Sequence, residues 1–332
     1  MSSSTSSNRP TFPDIVAAAR RLKGRAVTTP LMESPLLNER LGGRLLLKAE
    51  MLQRTGSFKF RGAYNRLSLI PAGQRKRGVV AFSSGNHAQG VAAAAGLLGM
   101  PALIVMPSDA PKSKIENTRA YGADIVFYDR YKEDREAIAT DIVRRRRAVL
   151  VPPFDDAFVV AGQGTIGIEL ARQAMEMGAE TDAVLVPCSG GGLVAGIATA
   201  LAQAAPRTEV YAVEPMGFDD TARSLAAGER QAVVPGGQSI CDSLLVSTPG
   251  ALTFPINRQL LKGTLVVGDE AVLMAMAAVF SFFKVVAEPG GAIALAAVLS
   301  GAFKLAGRTV AVIASGGNVD AVLFAEALES RA

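Results

Sequence analysis

Between Gly78 and Ile313 the sequence repeats one pattern: a short apolar run, a small-residue or proline-bearing loop, then a longer segment of helical character. The runs are Gly78–Phe82, Ala102–Met106, Asp124–Tyr128 and Ala148–Val151, then Ala183–Val186, Val210–Glu214, Thr264–Val267 and Thr309–Ile313. Continuous apolar runs of this length suit strands covered on both faces. Strands joined through helices pack back onto their own sheet as right-handed crossovers, so the pattern predicts an α/β protein built on parallel sheets. Pro152-Pro153 closes the first set of strands, and two α/β layers with a cleft between them are expected. Such folds bind ligands at the C-terminal ends of their strands.

Ahead of this region, Pro13–Lys23 carries Ile15, Val16, Ala19 and Leu22 at helical spacing and stops at Gly24. Thr28–Leu31 is held extended by Pro30, and a helix over Ser34–Leu41 ends at Gly42-Gly43. The strand-like run Arg44–Lys48 then leads to a lysine loop, followed by a helix from Arg61 to about Leu69. Further helices are expected over Lys112–Tyr121, Lys132–Arg147 and Gly164–Met177.

Composition removes several alternatives. The net charge is +5, yet the dense basic run is Arg144–Arg147 alone and no aromatic residues are interleaved with it, so nucleic acid is not an expected partner. Two cysteines make no disulfide framework, and one histidine, His87, excludes a multi-histidine metal site. No apolar stretch is long enough for a membrane span, and the Ser-rich start lacks a secretory core, so residues 1–9 are expected as a disordered tail and the protein as cytoplasmic.

Four loops carry candidate chemistry. Thr55–Ala63 places Lys59 between Phe58 and Phe60, where desolvation would lower its pKa and make it a Schiff-base nucleophile; a lone solvated lysine is the bland alternative. Ser189-Gly190-Gly191-Gly192-Leu193 follows a strand and opens a helix, which suits either a phosphate or a tight, closely packed turn. It is neither a P-loop nor a dinucleotide fingerprint, because no Lys-Ser/Thr follows and the glycine spacing is off by one. Ser83-Ser84-Gly85-Asn86-His87 also joins strand to helix and could grip a carboxylate or simply cap the helix, with His87 better read as a satisfied buried histidine than as a base. Ser315 ends the last strand, where it can face a ring nitrogen. In addition, the stretch Glu214–Asp220 offers two carboxylates and a backbone carbonyl, hard oxygen donors for a divalent cation, or else a Pro/Gly turn with an Asp cap at Asp219 or Asp220.

Together these loops resemble the threonine/serine dehydratase and serine racemase branch of the pyridoxal 5′-phosphate (PLP) enzymes with the tryptophan-synthase-β fold, fold type II, over about Phe12 to Ala327. The resemblance makes Lys59 the Schiff-base lysine, with Phe58 against the pyridine ring and Asn86 on the phenolic oxygen. It makes Ser189–Leu193 the phosphate loop, Ser315 the partner of the ring nitrogen, and Ser83, Ser84, Gly85, Asn86 and His87 the carboxylate-binding loop. It implies a large PLP-binding domain of residues 10–77 and 156–332, a small mobile domain of residues 78–155, and a homodimer. The implied activity is dehydration of a 3-hydroxy amino acid to a 2-oxo acid and ammonia. Serine racemisation, dehydration of 3-hydroxyaspartate and a non-catalytic PLP carrier are the alternatives. Ser84 resembles the racemase residue on the face opposite the lysine, whereas Pro152–Asp156 with Ala161–Thr165 resembles the dehydratase pattern. Glu214, the Phe218 carbonyl and Asp220 resemble the cation site of racemases and some dehydratases, which implies Mg²⁺, Ca²⁺ or Mn²⁺ there. Met51, the segment Gln238–Ser243 and the segment around Glu288 depart from common family patterns. Arg135, in a charged helix, is expected to be solvated.

Overall fold

A computed structural model describes residues 9–83 and 85–330; Ser84 and nearly all of the expected tail lie outside the described residues. Two sheets carry the fold. The larger has six strands, β1 (Leu31–Glu33), β2 (Arg44–Ala49), β7 (Ala183–Pro187), β8 (Glu209–Pro215), β9 (Gly263–Val267) and β10 (Thr309–Ala314). The smaller has four, β3 (Val79–Phe82), β4 (Ala102–Pro107), β5 (Asp124–Tyr128) and β6 (Val149–Leu150). Their spatial orders are β1-β2-β10-β7-β8-β9 and β5-β4-β3-β6. Every pairing is parallel except that of β1 with β2, an antiparallel edge where only an extended segment was expected from Pro30.

The expected apolar runs therefore become strands within a residue or so of their predicted ends; the central strands are covered on both faces, whereas the edge strands β5 and β9 keep exposed positions such as Phe127 and Val266. Every residue of β3, β4 and β7 is buried. Alanine-rich helices such as Pro289–Leu299 lie against the larger sheet and are themselves almost wholly buried, which explains their lack of a polar face. Among the described residues no helix is long and apolar enough to cross a membrane.

One element begins far earlier than its sequence suggests. The expected Gly164–Met177 helix starts at Ala157, capped by Asp156, whose side chain accepts from the amides of Phe158 and Val159 at 2.9 Å each. Gly162, Gly164 and Gly167 read as helix breakers locally, but they are where other backbones approach. A methyl at Gly162 would stand 2.6 Å from the Cα of Gly62, and one at Gly164 would stand 2.8 Å from the carbonyl oxygen of Gly196. Tertiary packing outweighs the roughly 1 kcal/mol that glycine costs in a helix. The helix Ala157–Glu176 thereby joins the helix Lys59–Ser68 to the helix Gly192–Ala204, and with them the lysine loop to the glycine loop.

Candidate active site

The topology converges the four loops. β2, β10 and β7 are neighbours, in register as Ala49 beside Ala314 and Leu185 beside Val312, and all run the same way. Their C-terminal ends deliver the lysine loop, Ser315 and the glycine loop. Across the cleft, β3 delivers Ser83–His87 and β6 delivers Pro153 and Phe154. Lys59, Phe58, Ser83, Gly85, Asn86, His87, Ser189–Leu193 and Ser315 line one cavity of about 190 Å³. The lysine loop is zipped to the end of β10: Phe58 N donates to Ser315 O at 3.1 Å and Gly317 N to Gly56 O at 2.9 Å.

Lys59 opens the helix Lys59–Ser68, with its Nζ donating to Pro153 O at 2.9 Å and lying 5.1 Å from the Phe58 ring centroid. Burial lowers its pKa to about 8, although the nearby Glu288 carboxyl pulls the other way. Phe60 is not the second wall that the sequence suggested. One residue further along the helix it points about 100° away, is fully buried and packs on Tyr64 at 5.7 Å.

The glycine loop is shaped from behind. Thr253 Oγ1 donates to Gly190 O at 2.6 Å and Asn257 Nδ2 to Gly191 O at 3.3 Å, which turns the carbonyls outward. Gly191 adopts φ +87°, and a Cβ there would meet Asn257 Nδ2 at 2.5 Å, so the position tolerates no side chain. The first-turn amides of the helix Gly192–Ala204 lack helical partners, and Ser189 Oγ is buried without any. A buried hydroxyl and free amides at a helix N-terminus are the chemistry that a phosphate requires. Phe154 packs on Gly190 and Gly192 from the cleft side, at the place where the sequence suggested the dehydratase pattern.

Asn86 begins the helix Asn86–Leu97, and its Nδ2 donates to Glu288 Oε1 at 2.5 Å while its Oδ1 accepts from Asn318 Nδ2 at 2.8 Å. His87 is buried, its Nε2 is 2.9 Å from Val151 O, and burial with the neighbouring Lys59 charge drives its pKa down to about 3. A carbonyl only accepts, so Nε2 carries the proton and the ring is neutral, as the buried-histidine reading requires. Ser315 Oγ faces the cavity and is 3.3 Å from Gly290 O.

Other lining groups had no local signal. Lys114 pairs with Asp242, 128 residues away in sequence; burial works against its charge, but Asp242 and Glu288 outweigh that and raise its pKa. Arg135 is half-buried rather than fully solvated. It lines the cavity with its guanidinium 5.3 Å from the Phe82 ring centroid, and no salt bridge engages it among the described residues. With Lys59, Lys114, Arg130 and Arg135 against Asp242 and Glu288, the lining is net cationic.

A family profile described as "Pyridoxal-phosphate dependent enzyme" matches residues 23–316. The chain belongs to the pyridoxal-phosphate-dependent enzyme family. It is 42% identical to an L-threo-3-hydroxyaspartate ammonia-lyase of Pseudomonas sp over 96% of this chain and 98% of that protein. It is 39% identical to a serine racemase of Schizosaccharomyces pombe, over 96% and 97% of the two chains. Among solved structures, a T.th. threonine deaminase superposes with a TM-score of 0.88 at 46% identity, covering 94% of this chain and 99% of that one. As a PLP enzyme, the protein has the cavity to suit its cofactor: an amine, an orphan hydroxyl at a phosphate-type turn, an amide donor and a neutral hydroxyl at the fourth corner.

The oxygen set at Glu214, Phe218 and Asp220 lies apart from this cavity. Glu214 accepts from the amides of Thr221 and Ala222 at 2.8 and 2.9 Å, which is the helix-capping use, while both carboxylate oxygens of Asp220 are buried without partners. Burial pushes Glu214 up to about 7 and Asp220 up to about 8. No cluster of three or more His, Cys, Asp or Glu ligands exists among the described residues, so a cation here would need backbone carbonyls and water.

Proposed function

We propose that this PLP enzyme is an ammonia-lyase, which eliminates the β-hydroxyl of a 3-hydroxy amino acid to leave a 2-oxo acid and ammonia. The observation that carries the reading is Lys59: an amine of lowered pKa that lines one cavity with the glycine loop and Asn86. Lys59 would hold the cofactor's aldehyde carbon, Phe58 would lie against its ring, and Ser189–Leu193 would take its phosphate. Asn86 would donate to the phenolic oxygen and Ser315 would meet the ring nitrogen, where a neutral hydroxyl leaves that nitrogen unprotonated. When bound, PLP supplies an electron sink for the bond to Cα. The neutral Lys59 amine would take the Cα proton of the substrate. His87 is a poor base, because burial and the neighbouring Lys59 charge drive its pKa down to about 3. Ser83, Gly85 and the amides of Asn86 and His87, at the start of the helix, would hold the substrate carboxylate.

Arg135, which lines the cavity with no salt-bridge partner among the described residues, favours a substrate with a second carboxylate, such as 3-hydroxyaspartate, over threonine. Residues 78–155 would move as the small domain and close on the substrate. The 39% identity to a serine racemase supports racemisation as the second reading, with Ser84 as the acid on the face opposite Lys59. Asp220, Glu214 and the Phe218 carbonyl would hold a divalent cation; a Mg²⁺-dependent rise in melting temperature that Asp220→Asn removes is the check.

The deciding experiment is a 2-oxo-acid assay over L-threonine, L-serine, their D-forms and both threo-3-hydroxyaspartates, beside an absorption spectrum of the purified protein. Oxo acid from a hydroxy amino acid names the lyase. The opposite enantiomer with little oxo acid names the racemase, and PLP bound through Lys59 with neither product leaves only a carrier.

A further inference from the structure

Glu288 has no role in the chemistry above, yet it is the most constrained acid in the cleft. It stands at the N-cap position of the helix Pro289–Leu299 without a side-chain capping bond, its backbone amide donates to Gly316 O at 3.0 Å, and the residue is 1% exposed. Oε1 accepts from Asn86 Nδ2 at 2.5 Å, whereas Oε2 is buried with no hydrogen-bond partner. Asn86 is held from its other end as well. Asn318 Nδ2 donates both to Thr55 O and to Asn86 Oδ1, at 2.8 Å each, which fixes the Asn318 amide and so makes Oδ1 the end of Asn86 that faces it. Nδ2 of Asn86 therefore gives one hydrogen to Glu288 and has one left for the cavity.

We propose that Glu288 is a positioning residue that sets the donor face of Asn86 and holds a proton beside the phenolic oxygen of the cofactor. This rests on the reading of Lys59 and Asn86 as cofactor contacts. A cofactor oxygen that accepts from Asn86 is anionic, and an ionised Glu288 would place a second buried anion on the same amide. The charged and titratable groups that face Glu288 are few. Lys114, on the helix Lys112–Ala120, is already paired with Asp242 of the turn Asp242–Leu244; Lys59 is the remaining cation, and His87 beside Asn86 is neutral. Burial, with Asp242 adding to it, lifts the acid to about 7 despite Lys114, Asn86 and Lys59, so the protonated form is reachable at working pH.

The test is a spectral titration of the PLP-loaded protein from pH 5.5 to 9, without substrate, in wild type, Glu288→Gln and Glu288→Ala. The Gln variant keeps the shape and the oxygen that Asn86 binds but cannot ionise. The proposal expects a change in the bound-cofactor spectrum at pH 7 or above in wild type that is absent in Glu288→Gln. It also expects PLP to bind about tenfold more weakly to Glu288→Ala, from loss of one hydrogen bond to an oriented amide. A transition that persists unchanged in Glu288→Gln, or a wild-type spectrum flat across the range, overturns it. Should the Ala variant not fold, the Gln comparison decides alone. Failure of the lyase reading is separate, since absence of oxo acid from wild type leaves the spectral result intact.

Discussion

Two clusters of buried charge stand on either side of the same short helix, and they are finished differently. Behind Lys59, the guanidinium of Arg61 meets Glu50 through Nε and Nη2 at 2.8 Å each and Glu169 through Nη1 and Nη2 at 2.6 and 2.8 Å. Lys48 completes that group, donating to Glu169, Gln173 and the carbonyl of Thr29 at 2.7, 2.9 and 2.7 Å. Burial opposes the Arg61 charge, but Glu50 and Glu169 outweigh it and raise its pKa. In the cleft, by contrast, Lys59 has one carbonyl partner, Glu288 has an unpartnered oxygen, and Ser189 Oγ has none. A saturated cluster holds one geometry, and its partners hold Arg61 charged even though burial lowers the pKa of Lys48. An unsaturated one has polar atoms waiting for a ligand and pKa values moved toward neutrality, which is the condition for proton transfer.

Lys59→Ala tests the unsaturated side and carries the largest expected effect. Oxo-acid formation should fall by roughly 10³-fold or more, as for loss of a nucleophile that doubles as the base. The folded protein should be no less stable, because a buried, poorly paired amine contributes little to it. A large drop in melting temperature with activity retained would reverse the contrast between the two clusters.

Arg61→Met tests the saturated side. It strands Glu50 and part of Glu169 in the interior, and urea unfolding should show a loss of about 3–5 kcal/mol, the usual cost of breaking a buried pair. If the variant unfolds like wild type, the cluster is not the structural anchor described here. Smaller again is Arg135→Gln. Activity on 3-hydroxyaspartate should lose about 10–100-fold in kcat/KM, the worth of one charge-assisted hydrogen bond, while activity on L-serine changes little. Equal losses on both substrates would remove the second-carboxylate preference.

The contrast also shows what was legible in the sequence. The parallel α/β layers were readable because covered strands are short continuous apolar runs, and the loops at their ends were readable because glycine and small polar residues cluster there. Lys59, Asn86, Ser315 and the glycine loop could be brought to one cleft through their joint resemblance to a known family, whereas each loop read by itself left a bland alternative open. What escaped depends on separation in sequence. Lys114 with Asp242, Asn318 with Asn86, and Thr253 with Gly190 each join residues 63 or more positions apart, and no local pattern marks one as partner of the other. The early start of the helix Ala157–Glu176 escaped for the opposite reason: its glycines speak locally against a helix and only packing explains them. Arg135 looked like one more surface charge because the aromatic face beneath it, Phe82, lies on another element.

The finest prediction concerns the pH at which Lys59 captures its cofactor. Capture requires the neutral amine. With a pKa of about 8 in place of the ordinary 10.5, about one tenth of Lys59 is neutral at pH 7, against roughly one in 3,000 for an exposed lysine. The rate of PLP uptake by the cofactor-free protein should therefore rise about tenfold per pH unit and level off near pH 8. A break near 10 would mean that the ammonium is solvated and that burial does not act on it. Glu288 refines the measurement, because its charge is what holds the Lys59 pKa up against burial. Removing that charge in Glu288→Gln should move the break below 8, whereas an unmoved break would mean the two groups do not sense each other. The same acid, raised to about 7 in the fold from its ordinary 4.5, contributes stability that is fully present below about pH 4.5 and is lost as pH rises through 7. Glu288→Gln should flatten the corresponding fall in unfolding free energy between those limits, so the kinetic break and the stability slope report on one buried carboxyl by independent routes.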